Sequence, residues 1–107
     1  MLTDEIISAL TEKENIANLI FPNNEVLASP KEISKRRMDI ERGLLMGNGF
    51  RSKVLIYFRD AEKLRKVETT IWGVTDVRVL LKNNTSIPLQ RIVKIEIQNE
   101  SLKYPNI

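Results

Sequence analysis

The sequence predicts a mainly β domain with one long helix. The helix covers about residues 30–46 and packs on a five-stranded, strongly bent antiparallel small barrel. Three observations predict this. First, five short runs rich in β-branched and aromatic residues follow one another through tight turns: Lys53–Phe58, Lys66–Val74, Val77–Lys82, Thr85–Pro88 and Ile92–Ile97. Spacing of this kind suits a small closed or nearly closed barrel. Second, Ser29-Pro30-Lys31-Glu32 upstream is a helix start: Ser29 caps, Pro30 takes the first helical position and Glu32 completes a capping box. Third, 107 residues without a cysteine can bury one core with no disulfide or metal.

Residues 1–28 read as an N-terminal helix or arm. Thr3 can cap a short helix, with Asp4 and Glu5 in its first turn and Ile6, Ile7 and Leu10 on its apolar side. Residues 16–21 are a short apolar stretch, Pro22-Asn23-Asn24 a turn, and Val26-Leu27 its continuation, giving a hairpin or an extended arm. In the long helix, Ile33, Arg37, Ile40 and Leu44 share one side, with Met38, Leu45 and Met46 nearby and charge opposite. Gly47-Asn48-Gly49 is expected to end it. Gly43, which weakens a helix by about 1 kcal/mol relative to Ala, serves close packing or an early stop.

In the first strand, Val54, Ile56 and Phe58 point one way and Leu55 and Tyr57 the other. Both sets are apolar, so the strand is expected to be covered on both faces. Residues 60–65 are a polar connection. Thr75-Asp76 and Asn83-Asn84 are two-residue links, and Asn tolerates the positive φ of a primed hairpin turn. Pro88 belongs at a strand end or edge, followed by a short turn at Leu89-Gln90-Arg91. If Val67, Thr69 and Ile71 line the interior, Trp72 and Val74 point outward, and Gly73 bends the strand. Trp72 then either packs under the helix or arm or anchors a partner. Residues 98–107 read as a loose tail, so that residues 29–97 form the body of one domain.

Residues 54–58 (Val-Leu-Ile-Tyr-Phe), 71–83 (Ile-Trp-Gly-Val-Thr-Asp-Val-Arg-Val-Leu-Leu-Lys-Asn) and 87–92 (Ile-Pro-Leu-Gln-Arg-Ile) resemble an Sm-like barrel. They stand at its first strand, its bent second strand with turn and third strand, and its crossing into the fifth. The resemblance covers residues 30–97 and implies the fold. It does not imply the RNA site, because Ile87-Pro-Leu-Gln90 stands where bacterial members carry Tyr-Lys-His. The chain is also similar to short proteins of Bacteroidetes bacteria, which implies no activity.

The chain carries a formal +3 and contains no His and no Cys. That removes the commonest metal ligand, the thiolate nucleophile and the usual neutral-pH acid and base. Asp60 and Glu62 lie in a polar turn, where solvated carboxylates keep ordinary pKa values. Gly47-Asn48-Gly49 follows a helix instead of opening one, so it is no phosphate loop. The expectation is a domain without catalytic, cofactor-binding or metal-binding residues, not an enzyme. No apolar run reaches the roughly 18–20 residues of a membrane span. The start lacks the basic flank and apolar centre of a signal peptide, so the expected place is the cytoplasm.

Charge is unevenly distributed: residues 1–28 hold five acids and one base, residues 51–97 ten bases and five acids. An acidic segment lying on a basic face, or a basic surface that meets an anionic partner, would each explain it. The candidate binding residues are Lys31, Lys35, Arg36, Arg37 and Arg42 along the helix, Arg51 and Lys53 at one end of the barrel, and Trp72. Two functions fit. One is protein interaction or self-association as a homo-oligomer, through edge strands 85–88 and 92–97 or exchange of the 16–28 arm. The other is RNA or DNA binding through the basic helix and barrel face. Neither requires a cofactor.

Overall fold

The computed structural model describes residue 11 and residues 13–97. The short helix expected after Thr3 and the tail 98–107 lie outside the described residues. Helix α1 (Pro30–Phe50) precedes six strands: β1 (Val54–Arg59), β2 (Leu64–Thr69), β3 (Ile71–Val74), β4 (Arg78–Leu81), β5 (Thr85–Pro88) and β6 (Ile92–Ile97). They form two antiparallel three-stranded sheets, ordered β2-β1-β6 and β3-β4-β5. Among the described residues no helix is long and apolar enough to cross a membrane.

The expected five-stranded barrel is therefore corrected to six strands in two sheets. The run 66–74 is two strands, because the chain changes partner at Thr70. Up to Thr69 it pairs with β1, ending at Val54↔Thr69; from Ile71 it pairs with β4, starting at Ile71↔Leu81. Thr70 belongs to neither strand, and its carbonyl accepts the Lys82 amide at 3.2 Å. The chain returns to the first sheet through the short turn Leu89–Arg91, where the sequence places it. Two elements bridge the sheets. Helix α1 packs on β6 and β3, while the 3-10 turn Lys13–Asn18 packs on β5 and β2.

The helix starts as its sequence demands: the Ser29 hydroxyl accepts the Glu32 amide at 3.1 Å. Its end differs from expectation. Gly47 and Gly49 do not stop it; it continues to Phe50, and Arg51 takes the left-handed conformation at φ 54°. The glycines are used for approach. A methyl on Gly43 would lie 2.9 Å from Ile71 Cδ1, and one on Gly47 would run into the Ile71 carbonyl oxygen. The buried stripe of α1 is Arg36, Ile40, Gly43 and Gly47, so the apolar face turns toward Arg36 and leaves Arg37 exposed.

The core joins both sheets. Ile56 and Phe58 of β1, Val67 of β2, Ile71 of β3, Val79 of β4 and Ile92 of β6 are all fully buried, each stabilising by about 1.5–3 kcal/mol relative to exposure. Ile40 of α1 and Ile16 of the arm complete it. As expected, β1 is covered on both faces and Asn83 and Asn84 take positive φ, 70° and 59°, but Leu81 pairs with Thr85, so this link is three residues, Lys82–Asn84, and not two. The turn after β3 is longer than two residues. Val74 pairs with Val79, and the Thr75 hydroxyl accepts the Val77 and Arg78 amides.

One core atom is at odds with its surroundings. Thr69 is 1% exposed, and its hydroxyl has no hydrogen-bond partner among the described residues. An unpaired buried hydroxyl costs about 1–3 kcal/mol. Thr69→Val replaces it with a methyl of similar size. The expected result is a gain of about 1 kcal/mol in chemical denaturation, with the fold unchanged; a loss of stability would mean the hydroxyl has a partner.

Candidate functional site

The end of α1 and the start of the β3-β4-β5 sheet enclose an open cleft lined by Gly47, Asn48, Arg51, Lys53, Thr70, Trp72 and Lys82. Each is placed by a feature already described. The left-handed turn at Arg51 ends α1 and projects the chain into Lys53 and β1. The sheet change at Thr70 sets Trp72 just beyond it. Register shifts between Ile71 and Gly73, leaving Trp72 with no partner on β4. The Lys82 amide is tied to the Thr70 carbonyl, which brings Lys82 to the same cleft.

Trp72 is 58% exposed, so neither the helix nor the described part of the arm buries it. Arg51, Lys53 and Lys82 are exposed, and their side chains make no hydrogen bond or ion pair among the described residues. Among the described residues no carboxylate lines the cleft. The helix end that faces it is also quenched: the Arg51 amide donates to the Gly47 carbonyl at 3.0 Å and the Ser52 amide to Met46 at 3.2 Å. These bonds satisfy carbonyls that would otherwise present negative partial charge there. The result is a cationic, aromatic surface.

The predicted residues divide. Arg51, Lys53 and Trp72 come together in the cleft, while none of the helical bases Lys31, Lys35, Arg36, Arg37 and Arg42 lines it. Arg36, expected on the solvent side, is corrected to a buried position, 7% exposed. Its guanidinium makes two 2.7 Å bonds to the Glu25 carboxylate and a third, at 2.9 Å, to the Ile92 carbonyl. Lys35 is spent on Asp39 at 2.7 Å within the helix. Arg37 lies with Glu41 and Asp76 beside the β3–β4 turn. Lys31 and Arg42 are exposed but stand apart from the cleft.

The sequence reading missed Lys82 and Arg91 altogether and the burial of Arg36. Lys82 carries no local signal, since its approach to Thr70 and Trp72 depends on the register of β3 on β4. Arg36 was detectable from spacing: with Ile40, Gly43 and Gly47 it makes a stripe four, three and four residues apart. Arg91 carries no such signal. It is buried and donates to the carbonyls of Arg59, Asn24 and Asp60, clamping the arm to the end of β1.

The described part of the arm is packed on the strands. Ile16 is 1% exposed, and the Phe21 and Phe58 rings sit 6.0 Å apart. The Ala61 amide donates to the Ile20 carbonyl and the Val26 amide to Gln90. Within the arm Ile20 stays 74% exposed. Strand β6 is an edge of its sheet, with α1 packed against it.

Two carboxyls are perturbed. The Arg36 guanidinium holds Glu25 below its ordinary value of 4.5 against a partial burial that opposes it. Burial pushes Asp60 up, but the Lys63 and Glu62 amides and Arg65 outweigh it and hold the group below 3.8. The solvated, ordinary Asp60 expected from the sequence is thus corrected: its carboxylate organises the β1–β2 turn. Both folded-state values lie below the unfolded ones. Their stabilisation is therefore complete above those ordinary values and lost as pH falls through the folded ones. The melting temperature is expected to fall on acidification below 4.5, and Glu25→Gln to make that fall shallower. An unchanged acid limb in Glu25→Gln would remove Glu25 as a contributor.

No family model, curated protein or solved structure matches this chain.

Proposed function

We propose that this is a non-catalytic binding domain that takes nucleic acid at the Arg51–Lys53–Trp72–Lys82 cleft. One observation carries the reading: among the described residues, three cations without partners and an exposed tryptophan line one cleft, and no carboxylate does. Phosphates would neutralise the cations and release counterions, giving affinity that falls steeply with salt. The helical bases contribute little, since Arg36 is buried and Lys35 is paired. The Sm-like resemblance is kept only as a fold-level proposal, in which β2 and β3, divided at Thr70 between two sheets, would stand for its one bent second strand.

The test is fluorescence anisotropy of a labelled oligonucleotide against salt. The triple variant Arg51→Glu, Lys53→Glu, Lys82→Glu should abolish binding seen with the native chain at about 50 mM salt. The triple variant Lys31→Glu, Lys35→Glu, Arg42→Glu should retain most of it. No binding by the native chain at that salt overturns the proposal.

A second reading, protein association, is favoured by the exposed apolar residues Trp72, Val77 and Leu80 of the β3–β4 hairpin. Sedimentation decides whether that partner is a second copy. A mass of 12.4 kDa at every concentration excludes self-association.

A further inference from the structure

We infer that the cleft selects single-stranded over double-stranded nucleic acid, with an unpaired base stacked on Trp72 and the flanking phosphates on Arg51, Lys53 and Lys82. The inference rests on the nucleic-acid reading of the same cleft and adds the form of the ligand.

The argument starts from Trp72. A tryptophan this exposed gains little within its own domain. The geometry around it keeps its ring available. Register shifts at this point of β3, so Trp72 has no cross-strand partner. Its neighbour is Gly73, which pairs with Leu80 across the strands. Gly73 itself carries no side chain that could crowd the indole.

Cations alone do not distinguish strand number, because duplexes and single strands both present phosphates. The aromatic ring does. Within a duplex the faces of the bases are covered by their neighbours, and a ring on the protein surface has nothing to stack on. A single strand offers open faces, and stacking on an aromatic side chain strengthens binding regardless of base identity. Cations flanking the ring in the same cleft would hold the backbone on either side of the stacked base. RNA and DNA share both features, so the inference covers both strands.

Trp72 is the chain's sole tryptophan, so intrinsic fluorescence reports on this position alone. The full-length chain is titrated with a mixed-sequence strand of about 12 nucleotides, as DNA and as RNA, and with each strand annealed to its complement. The expected result is quenching by both single strands and roughly tenfold weaker binding of the duplexes. A label on the strand follows the variants. Trp72→Leu should lose about tenfold for single strands and little for duplexes, while Trp72→Phe retains most of the affinity. Equal affinity for single strand and duplex, with no quenching and a neutral Trp72→Leu, overturns this inference and leaves the nucleic-acid reading standing. Absence of binding to every strand at low salt overturns both. Quenching by one sugar type only would restrict the ligand to that source and still support the stacking.

Discussion

Arg36→Met will destabilise the domain by about 3 kcal/mol. The native guanidinium is buried and makes two 2.7 Å bonds to Glu25 and one to the Ile92 carbonyl. Its removal leaves the carboxylate without its counter-charge and the carbonyl without a donor. Breaking a buried pair from one side costs about 3–5 kcal/mol, and the lower end applies because Glu25 is partly exposed. In a domain this small the melting temperature should fall by roughly 12 °C or more. The pair also ties the arm to α1 and β6, so hydrogen exchange should rise at Val26 and Leu27 ahead of the rest. Lys35→Met, one residue away, is the control. Its pair with Asp39 is a surface i,i+4 contact, worth about 0.3–0.5 kcal/mol. Equal effects of the two substitutions would contradict the burial of Arg36.

Gly47→Ala is the second large effect, and its sign runs against helix propensity. Alanine at an exposed interior helix position is favoured over glycine by about 1 kcal/mol. At Gly47 the added methyl meets the Ile71 backbone carbonyl, which cannot rotate away as a side chain can. Helix and β3 must separate, at a cost of about 2–3 kcal/mol, the upper part of the range for overpacking. Gly49→Ala, two residues on, has nothing within 4 Å of the new methyl and should stabilise. Urea denaturation of both variants measures the pair of opposite signs. A stabilised Gly47→Ala would mean that α1 does not lie on Ile71.

Local chemistry made much of the fold legible. The Ser29-Pro30 start, the Asn83-Asn84 turn and the Leu89-Gln90-Arg91 crossing all follow from residues whose backbone preferences leave little choice. What was not legible depended on long-range contact. The helix runs past Gly47 because the glycine is needed against β3, a fact outside the helix. The 66–74 run divides because Thr70 changes partners, and alternation along one strand carries no record of which strand lies beside it. The same limit applies to the cleft. Arg51, Lys53 and Trp72 could be named from charge and exposure, but their convergence with Lys82 required the register of β3 on β4. Arg36 shows the reverse error: a basic run reads as a surface unless its helical spacing is checked against Ile40, Gly43 and Gly47.

The central claim, that the cleft beside Trp72 is the binding surface, is tested most directly by nuclear magnetic resonance of the labelled chain titrated with a single-stranded oligonucleotide. The predicted result is displacement of the Trp72 indole N–H signal and of the Arg51, Lys53 and Lys82 amides, with Lys31, Lys35 and Arg42 unmoved. Displacements confined to the helical bases, or none at any signal, would contradict it.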